Sequence, residues 1–255
     1  MNLQSLVKTA LYRLGYSIKR IRPARTPRGT PSAPGAPVTH ASLLALLHKR
    51  DPYDGFDFAA LPLDAHGWGS ESPAFREIIL AQKPNLIVEV GTWKGGSALQ
   101  MAGILEETRL PGTILCIDTW LGALEFWTDL DDPDRYKSLR LKHGYPSVYY
   151  QFLANVCHRG MQRRIVPFPQ TSAIGALWLR YFGLLGNLIY IDGSHEEDDV
   201  YQDLADYWEV LAPGGTIFGD DYTWDGVRIA VERFAREQRL RVEFLADKWL
   251  LRKKS

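Results

Sequence analysis

Short runs of nearly unbroken apolar residues recur along the chain, each closing on glycine or an acid. Leu86 to Val90 stands before Gly91, Thr113 to Ile117 before Asp118, Leu188 to Ile191 before Asp192, and a further run reaches Gly219 before Asp220 and Asp221. A strand buried on both faces reads as such a continuous run, whereas a half-exposed strand alternates. Between the runs the spacing becomes helical: Leu99, Ala102 and Leu105 after the first, Val200, Leu204, Trp208 and Leu211 after the third. Strands joined through a helix are normally parallel, and neighbours lie about 4.8 Å apart. The acids at their carboxyl ends therefore share one edge of a sheet, the edge at which open α/β sheets bind ligands.

The flanks supply the remaining elements. Ser72-Pro73 has the form of an N-cap followed by proline at the first helical position, and the helix carrying Phe75, Ile78 and Ile79 must stop before Pro84. Glu196, Glu197, Asp198 and Asp199 fall in the first turn of the helix after Asp192, where unpaired N–H groups favour negative charge. Pro213-Gly214-Gly215 is expected to be a turn. Val227, Ala230, Val231 and Phe234 mark another helix, and Arg241 to Ala246 with Lys248 to Leu251 has the form of an antiparallel hairpin closing the sheet. Residues 121–160 are too long for a simple connection. Their later part, with Val148, Phe152 and Val156, reads as an amphipathic helix, and their earlier part, with Phe126 and Trp127, as a lid-like insertion.

Composition bounds the rest. With 255 residues, 45% of them hydrophobic and 24% charged, the chain has room for one sizeable α/β domain and extensions. The formal net charge of +0 hides an asymmetry: Lys8, Arg13, Lys19, Arg20, Arg22, Arg25 and Arg28 lie within residues 1–40, which hold no acid, so the remainder is acidic. An acidic body argues against a nucleic-acid groove. Leu3, Leu6, Val7, Ala10, Leu11 and Leu14 form one helical stripe in the basic segment. That stripe is open either to packing on its own domain or to weak contact of residues 1–22 with a membrane surface or a protein. The organisation expected is a basic helix and Pro/Gly-rich linker over 1–40, a cover segment over 41–71, and the main domain over 72–255. Cys116 and Cys157 imply no disulfide framework, and neither a membrane span nor a secretory signal is recognisable. Cytoplasmic placement is the default, with peripheral membrane contact open through the basic segment.

The sharpest chemistry lies at the strand ends. Glu89-Val90-Gly91-Thr92-Trp93-Lys94-Gly95-Gly96-Ser97 is a strand, a glycine turn and a helix start. Glycine permits positive φ and lets a ligand approach without meeting a Cβ, and the helix start offers unpaired N–H donors. The spacing departs from that of dinucleotide-binding turns, and Glu89 suits a cationic or uncharged ligand group better than a pyrophosphate. A purely structural tight turn is the alternative. Asp118 ends the second strand, placed to accept both hydroxyls of a ribose. Asp220 and Asp221 can serve one ligand together only where their strand has ended, because successive strand residues point to opposite faces. Capping or turn-edge charge is their structural alternative, and a hydrogen-bonded histidine at a helix start is that for His195.

Glu89-x-Gly91, Asp118, Ile191-Asp192-Gly193-Ser194-His195, Pro213-Gly214-Gly215 and Gly219-Asp220-Asp221-Tyr222, in that order, resemble the class I S-adenosylmethionine-dependent methyltransferases. Within them the set is most similar to the macrocin-type and other antibiotic-sugar O-methyltransferases. The resemblance covers about residues 72 to 252. It implies a Rossmann-like fold, a mostly parallel seven-stranded sheet with a C-terminal antiparallel hairpin and helices on both faces. It also implies that Glu89, Gly91, Thr92, Trp93, Gly95 and Ser97 hold the methionine end of S-adenosylmethionine, and that Asp118, with Thr119 and Trp120 beside it, binds the ribose. By the same resemblance Gln170, Thr171 and Ser172 meet the adenine, Asp192 borders the cofactor, Asp192, Asp220 and Asp221 hold Mg²⁺, and His195 is the general base. The acceptor implied is a hydroxyl of a sugar, glycan or small natural product, and a homo-oligomer is expected.

The chemistry suits those residue types. Methyl transfer to an alcohol is an in-line displacement in which alignment supplies several kcal/mol. A divalent metal lowers the pKa of a coordinated hydroxyl, Mg²⁺ prefers oxygen ligands, and a histidine of pKa about 6.5 can accept the proton. Two rivals stand beside this reading: an oxygenase related to the cephalosporin hydroxylase-like proteins, and a non-catalytic cofactor-binding partner protein.

Overall fold

The protein is described here by a computed structural model covering residues 38–128 and 133–255. The expected N-terminal helix and nearly all of the linker, together with Asp129, Asp131 and Asp132, lie outside the described residues. The strands are β1 (Leu86–Val90), β2 (Thr113–Asp118), β3 (Ile165–Pro169), β4 (Gly186–Ile191), β5 (Leu211–Gly219), β6 (Glu243–Leu245) and β7 (Lys248–Arg252). They form one seven-stranded sheet in the order β3-β2-β1-β4-β5-β7-β6. β1 to β5 run parallel, and β7 is antiparallel to both β5 and β6. This is the fold that the resemblance implies, with the parallel strands and C-terminal hairpin that the sequence pattern predicts.

The helices are α1 (His40–Leu47), α2 (Ala74–Gln82), α3 (Gly96–Glu107), α4 (Leu124–Thr128), α5 (Pro133–Ser138), α6 (Val148–His158), α7 (Ser172–Phe182), α8 (Glu197–Glu209) and α9 (Asp225–Gln238). Residues of β1 alternate between two cores, as the period of a strand requires. Leu86, Val88 and Val90 pack with Leu179 of α7, Leu204 of α8 and Val231 of α9. Ile87 packs with Phe75 of α2, Met101 of α3 and Phe152 of α6. Burial on both faces explains why these strands read as continuous apolar runs. Among the described residues no helix is long and apolar enough to cross a membrane.

Local signals at α2 hold to within one residue: the helix begins at Ala74, and Pro73, expected at the first helical position, takes the cap position. The Ser72 hydroxyl accepts the Ala74 N–H at 3.2 Å, Pro73 has helical dihedrals, and Lys83 ends the helix with a left-handed φ of 47° just ahead of Pro84. The expectation for Pro213-Gly214-Gly215 needs correction. These residues lie inside β5, where the pairing jumps from Gly186↔Leu211 to Leu188↔Thr216. They form a bulge rather than a turn between elements, with Gly214 at φ 73°. Leu211, assigned by its spacing to the preceding helix, belongs to β5, and α8 stops at Glu209.

The strand order reverses between β1 and β4, the switch point at which such sheets open a crevice. Segment 41–71 first borders the outer strand β3: the Tyr53 hydroxyl donates to the Ile165 carbonyl at 3.2 Å, and His48 Nε2 lies 2.8 Å from the Pro167 oxygen. These contacts occupy carbonyls that an edge strand would otherwise expose. The segment then reaches the carboxyl edge, where Asp64 meets Lys94 at 2.7 Å.

Candidate active site

At the switch point the ends of β1 and β4 touch. The Asp192 N–H donates to the Val90 carbonyl at 2.8 Å. A Cβ on Gly91, whose φ is 81°, would overlap the Asp192 carbonyl. Gly91 is thus demanded first by the neighbouring strand and not by a ligand. Gly95, with φ 85°, precedes α3, which no side chain caps. Above it a Cβ on Gly96 would lie 2.8 Å from the Ser70 Cβ and 2.9 Å from the Ala65 carbonyl, so the segment of residues 65–70 closes down on the glycine turn.

Two acids organise that turn. Glu89 is fully buried and accepts hydrogen bonds from the Ser97 hydroxyl, from Thr92 Oγ1 at 3.3 Å and from the Cys116 thiol at 3.3 Å. Burial pushes its carboxyl up to about 7, against the pull of those donors. Asp118 accepts the Thr92 and Trp93 N–H groups on Oδ2 at 2.8 and 2.7 Å, and the Trp120 N–H on Oδ1 at 2.7 Å. A carboxylate offers about four acceptor sites, so one remains, on Oδ1. Asp118→Ala would orphan three backbone donors at once. It is expected to lower stability by about 2–4 kcal/mol and the melting temperature by roughly 5–15 °C, measured by thermal unfolding of the ligand-free protein.

The other candidates divide. Trp93 shows its ring to Phe126 of α4 at 4.4 Å between centroids. Trp120 is buried, its ring packed on Tyr149 and Phe152 and its indole N–H donating to the Trp93 carbonyl at 2.7 Å, so only its backbone borders the turn. Thr119 Oγ1 accepts the Leu121 N–H at 3.2 Å. The Gln170 N–H donates to the Asp118 carbonyl at 3.0 Å, which brings the end of β3 beside that of β2. Thr171 caps α7 by accepting the Ile174 N–H at 3.3 Å, and the Ser172 carbonyl accepts the Tyr207 hydroxyl at 2.9 Å.

On the far side of the switch point β5 ends at Gly219, and Asp221 turns into the left-handed region with φ 59°. That turn frees the adjacent acids from the strand's alternation. Asp220 Oδ1 accepts the Asp221 N–H at 2.9 Å, and its Oδ2 pairs with Lys248 Nζ at 2.6 Å. Asp221 Oδ2 lies 3.0 Å from His195 Nε2. Asp192 accepts the Tyr190 hydroxyl at 3.1 Å. Loss of water, then the facing charges of Asp220, Asp221 and Glu89, push its carboxyl up to about 8. The crevice between Asp192, His195, Asp220 and Asp221 is about 10 Å³, close to the lower limit for one water. A cavity of about 450 Å³, bordered by Arg140, His143, Tyr145 and Tyr150, shares no residue with it.

His195 stacks on Trp224 at 4.5 Å between centroids. Its Nδ1 lies 3.2 Å from the Glu125 carboxylate of α4 but outside hydrogen-bond geometry, and is buried without a hydrogen-bond partner. Asp221 and then Glu125 raise its pKa to about 10, against burial. Sequence reasoning passed over Glu125, Tyr190 and Lys248. Only Lys248, a charge heading the apolar run Trp249-Leu250-Leu251, carried a local signal.

A family model for a methyltransferase domain matches residues 88–222, from the middle of β1 to the residue after the paired acids. The chain belongs to that family. No curated protein matches the methyltransferase in sequence. Solved structures share its fold. The O-methyltransferase NovP is 16% identical with a TM-score of 0.52, over 71% of this chain and 78% of NovP. The O-methyltransferase TomG from Streptomyces achromogenes, solved with SAM, is 13% identical with a TM-score of 0.52, over 85% and 95%. An O-methyltransferase from Bacillus cereus, solved with SAH, is 14% identical with a TM-score of 0.50, over 85% and 96%. The protein is a class I methyltransferase that uses S-adenosylmethionine.

The residues suit that cofactor. No side chain caps α3, whose N–H groups stay open at the end of β1, and Asp118 keeps one free acceptor site. They do not suit Mg²⁺. Among the described residues no three His, Cys, Asp or Glu side chains converge to hold a metal ion. Asp220 and Asp221 are already matched to Lys248 and His195.

Proposed function

We propose that the methyltransferase carries the methyl group of S-adenosylmethionine to a hydroxyl of a sugar or another small natural product, with His195 as the base. The observation that carries this reading is His195 at the edge shared with the glycine turn, its Nε2 3.0 Å from Asp221 and its buried Nδ1 3.2 Å from the Glu125 carboxylate without a formed hydrogen bond. The shared fold of the O-methyltransferases NovP and TomG supports it. Bound at the turn, the cofactor supplies an electrophilic methyl carbon on a sulfonium. Asp118 and the glycine turn hold its nucleoside and methionine ends. Asp221 accepts the Nε2–H of His195, which fixes the tautomer that leaves a lone pair on Nδ1. The acceptor hydroxyl would give up its proton to Nδ1 of neutral His195. With Asp221 and Glu125 beside it His195 rests as an imidazolium, so loss of its Nδ1 proton is what readies the base. Mg²⁺ has no part in this scheme, because two of its three expected ligands, Asp220 and Asp221, already face Lys248 and His195. The test is the mass of the product formed with methyl-labelled cofactor: gain of the labelled methyl group supports the reading, and gain of an oxygen atom favours the oxygenase.

Glu89 makes a pH dependence. A carboxyl whose folded pKa is raised to about 7 from 4.5 destabilises the folded protein progressively as pH rises between those values. A cationic cofactor favours its ionised form. Affinity for S-adenosylmethionine is therefore expected to rise from pH 6 to pH 8 by about tenfold, and Glu89→Gln to flatten that rise, both read by calorimetry.

A further inference from the structure

Lys248 is fully buried, which is rare for lysine and requires partners for its charge. Its ammonium has three donors, and three acceptors meet them: Asp220 Oδ2 at 2.6 Å, Asp247 Oδ2 at 2.6 Å and the Gly69 carbonyl at 3.2 Å. The rings of Phe75 and Tyr190 lie 5.5 and 6.0 Å from it. Asp247 is steadied in turn by the Ser72 hydroxyl. A complete shell of two carboxylate oxygens, one carbonyl and two aromatic rings is a cation site whose cation is covalently attached.

The topology explains how it arises. β7 runs antiparallel to β5, so its first residue reaches the edge at which the parallel strands end. Gly69, with φ 63°, closes the shell from above, and a Cβ there would overlap the Asp220 carboxylate. The cover segment, β5 and β7 are thus joined through one ammonium.

We propose that Lys248 is the resident cation of this active site, fixing Asp220 and the cover segment in place of a divalent ion, so that the site takes up no metal. The methyl-transfer reading supplies only the purpose of that cation; the cage does not depend on it. Lys248 is a positioning residue, acting through Asp220.

The test uses Mn²⁺ as the probe, followed by its electron paramagnetic resonance signal, with the full chain, and calorimetry with S-adenosylmethionine on the same samples. The wild-type protein is expected to leave the Mn²⁺ signal unchanged. Lys248→Met, which empties the cage of charge at similar length, is expected to bind Mn²⁺ at least about tenfold more tightly than wild type. Uptake of one Mn²⁺ by the wild-type protein overturns the proposal, as does a folded Lys248→Met that binds no more than wild type. Should Lys248→Met not fold, the wild-type titration decides alone. Absence of cofactor binding in the calorimeter would sink the methyltransferase mechanism while leaving the Mn²⁺ result to stand.

Discussion

Replacement of His195 by Gln is expected to lower the methyl-transfer rate by about 10²–10⁴-fold, the range for loss of a general base, while cofactor affinity stays within about threefold of wild type because Asp118 and the glycine turn are untouched. The pH profile separates a base from a merely structural histidine. His195 is held as an imidazolium by Asp221 and Glu125, with a pKa near 10. The form able to accept a proton therefore grows as pH rises, and the rate should climb from pH 7 toward pH 10. Glu125→Gln removes one of the two anions beside the ring and should shift that climb to lower pH. The stability linkage runs the other way. A histidine with a raised folded pKa contributes stability that is fully present below its unfolded value of 6.5 and is lost as pH approaches 10. A climb that persists in His195→Gln would remove this residue from the base role.

The second large effect is expected at Gly91. Its φ of 81° belongs to the left-handed region, and a Cβ there would overlap the backbone of Asp192. The left-handed backbone costs an alanine about 1–2 kcal/mol, and the collision, which rigid backbone cannot relieve cheaply, adds about 1–3 kcal/mol. Gly91→Ala should therefore lose about 2–5 kcal/mol in denaturant unfolding, together with cofactor binding. Gly103 is the internal control. It sits inside α3 with no atom within 4 Å of where its Cβ would stand, so Gly103→Ala should be neutral or stabilising by up to about 1 kcal/mol. Equal losses at both positions would mean that the contact between β1 and β4 does not shape the turn.

These sites show what could be read from residues alone. The parallel strands are legible because burial on both faces leaves little but apolar residues, and their last residues mark the edge where ligands bind. Asp118, Asp192, Asp220 and Asp221 announce themselves in the same way, as acids standing where an apolar run stops. What escaped depends on contacts distant in sequence. Lys248 belongs to the edge only because β7 pairs with β5, and no local pattern states that pairing. Glu125 reaches His195 from an insertion whose course no periodicity describes. Pro213-Gly214-Gly215 has the composition of a turn, yet the Leu211 pairing with Gly186 keeps it within β5 as a bulge. Trp120 follows a strand-end acid, as a ligand-facing residue would, but a φ of 53° turns its ring toward Tyr149 and Phe152.

The same comparison revises the metal. Three aspartates gathered at one sheet edge fit a divalent ion by residue type, and their count alone cannot show which charges they already answer. In the folded chain two of them face an ammonium and an imidazole, and the third is driven toward its neutral form by burial beside the others. Asp220 and Asp221 each face a cation of the protein itself, a condition visible only once β7 and the loop after β4 are in place.

The central claim is that the glycine turn between β1 and α3 cradles the cofactor, with Asp118 on its ribose. The most direct measurement is a crystal structure of the wild-type chain with S-adenosylhomocysteine. The account predicts the adenosyl group beside the ends of β1 and β2, with one ribose hydroxyl on the free site of Asp118 Oδ1. A ligand lodged elsewhere, such as among Arg140, Tyr145 and Tyr150, with Asp118 still bonded only to backbone amides, would contradict it.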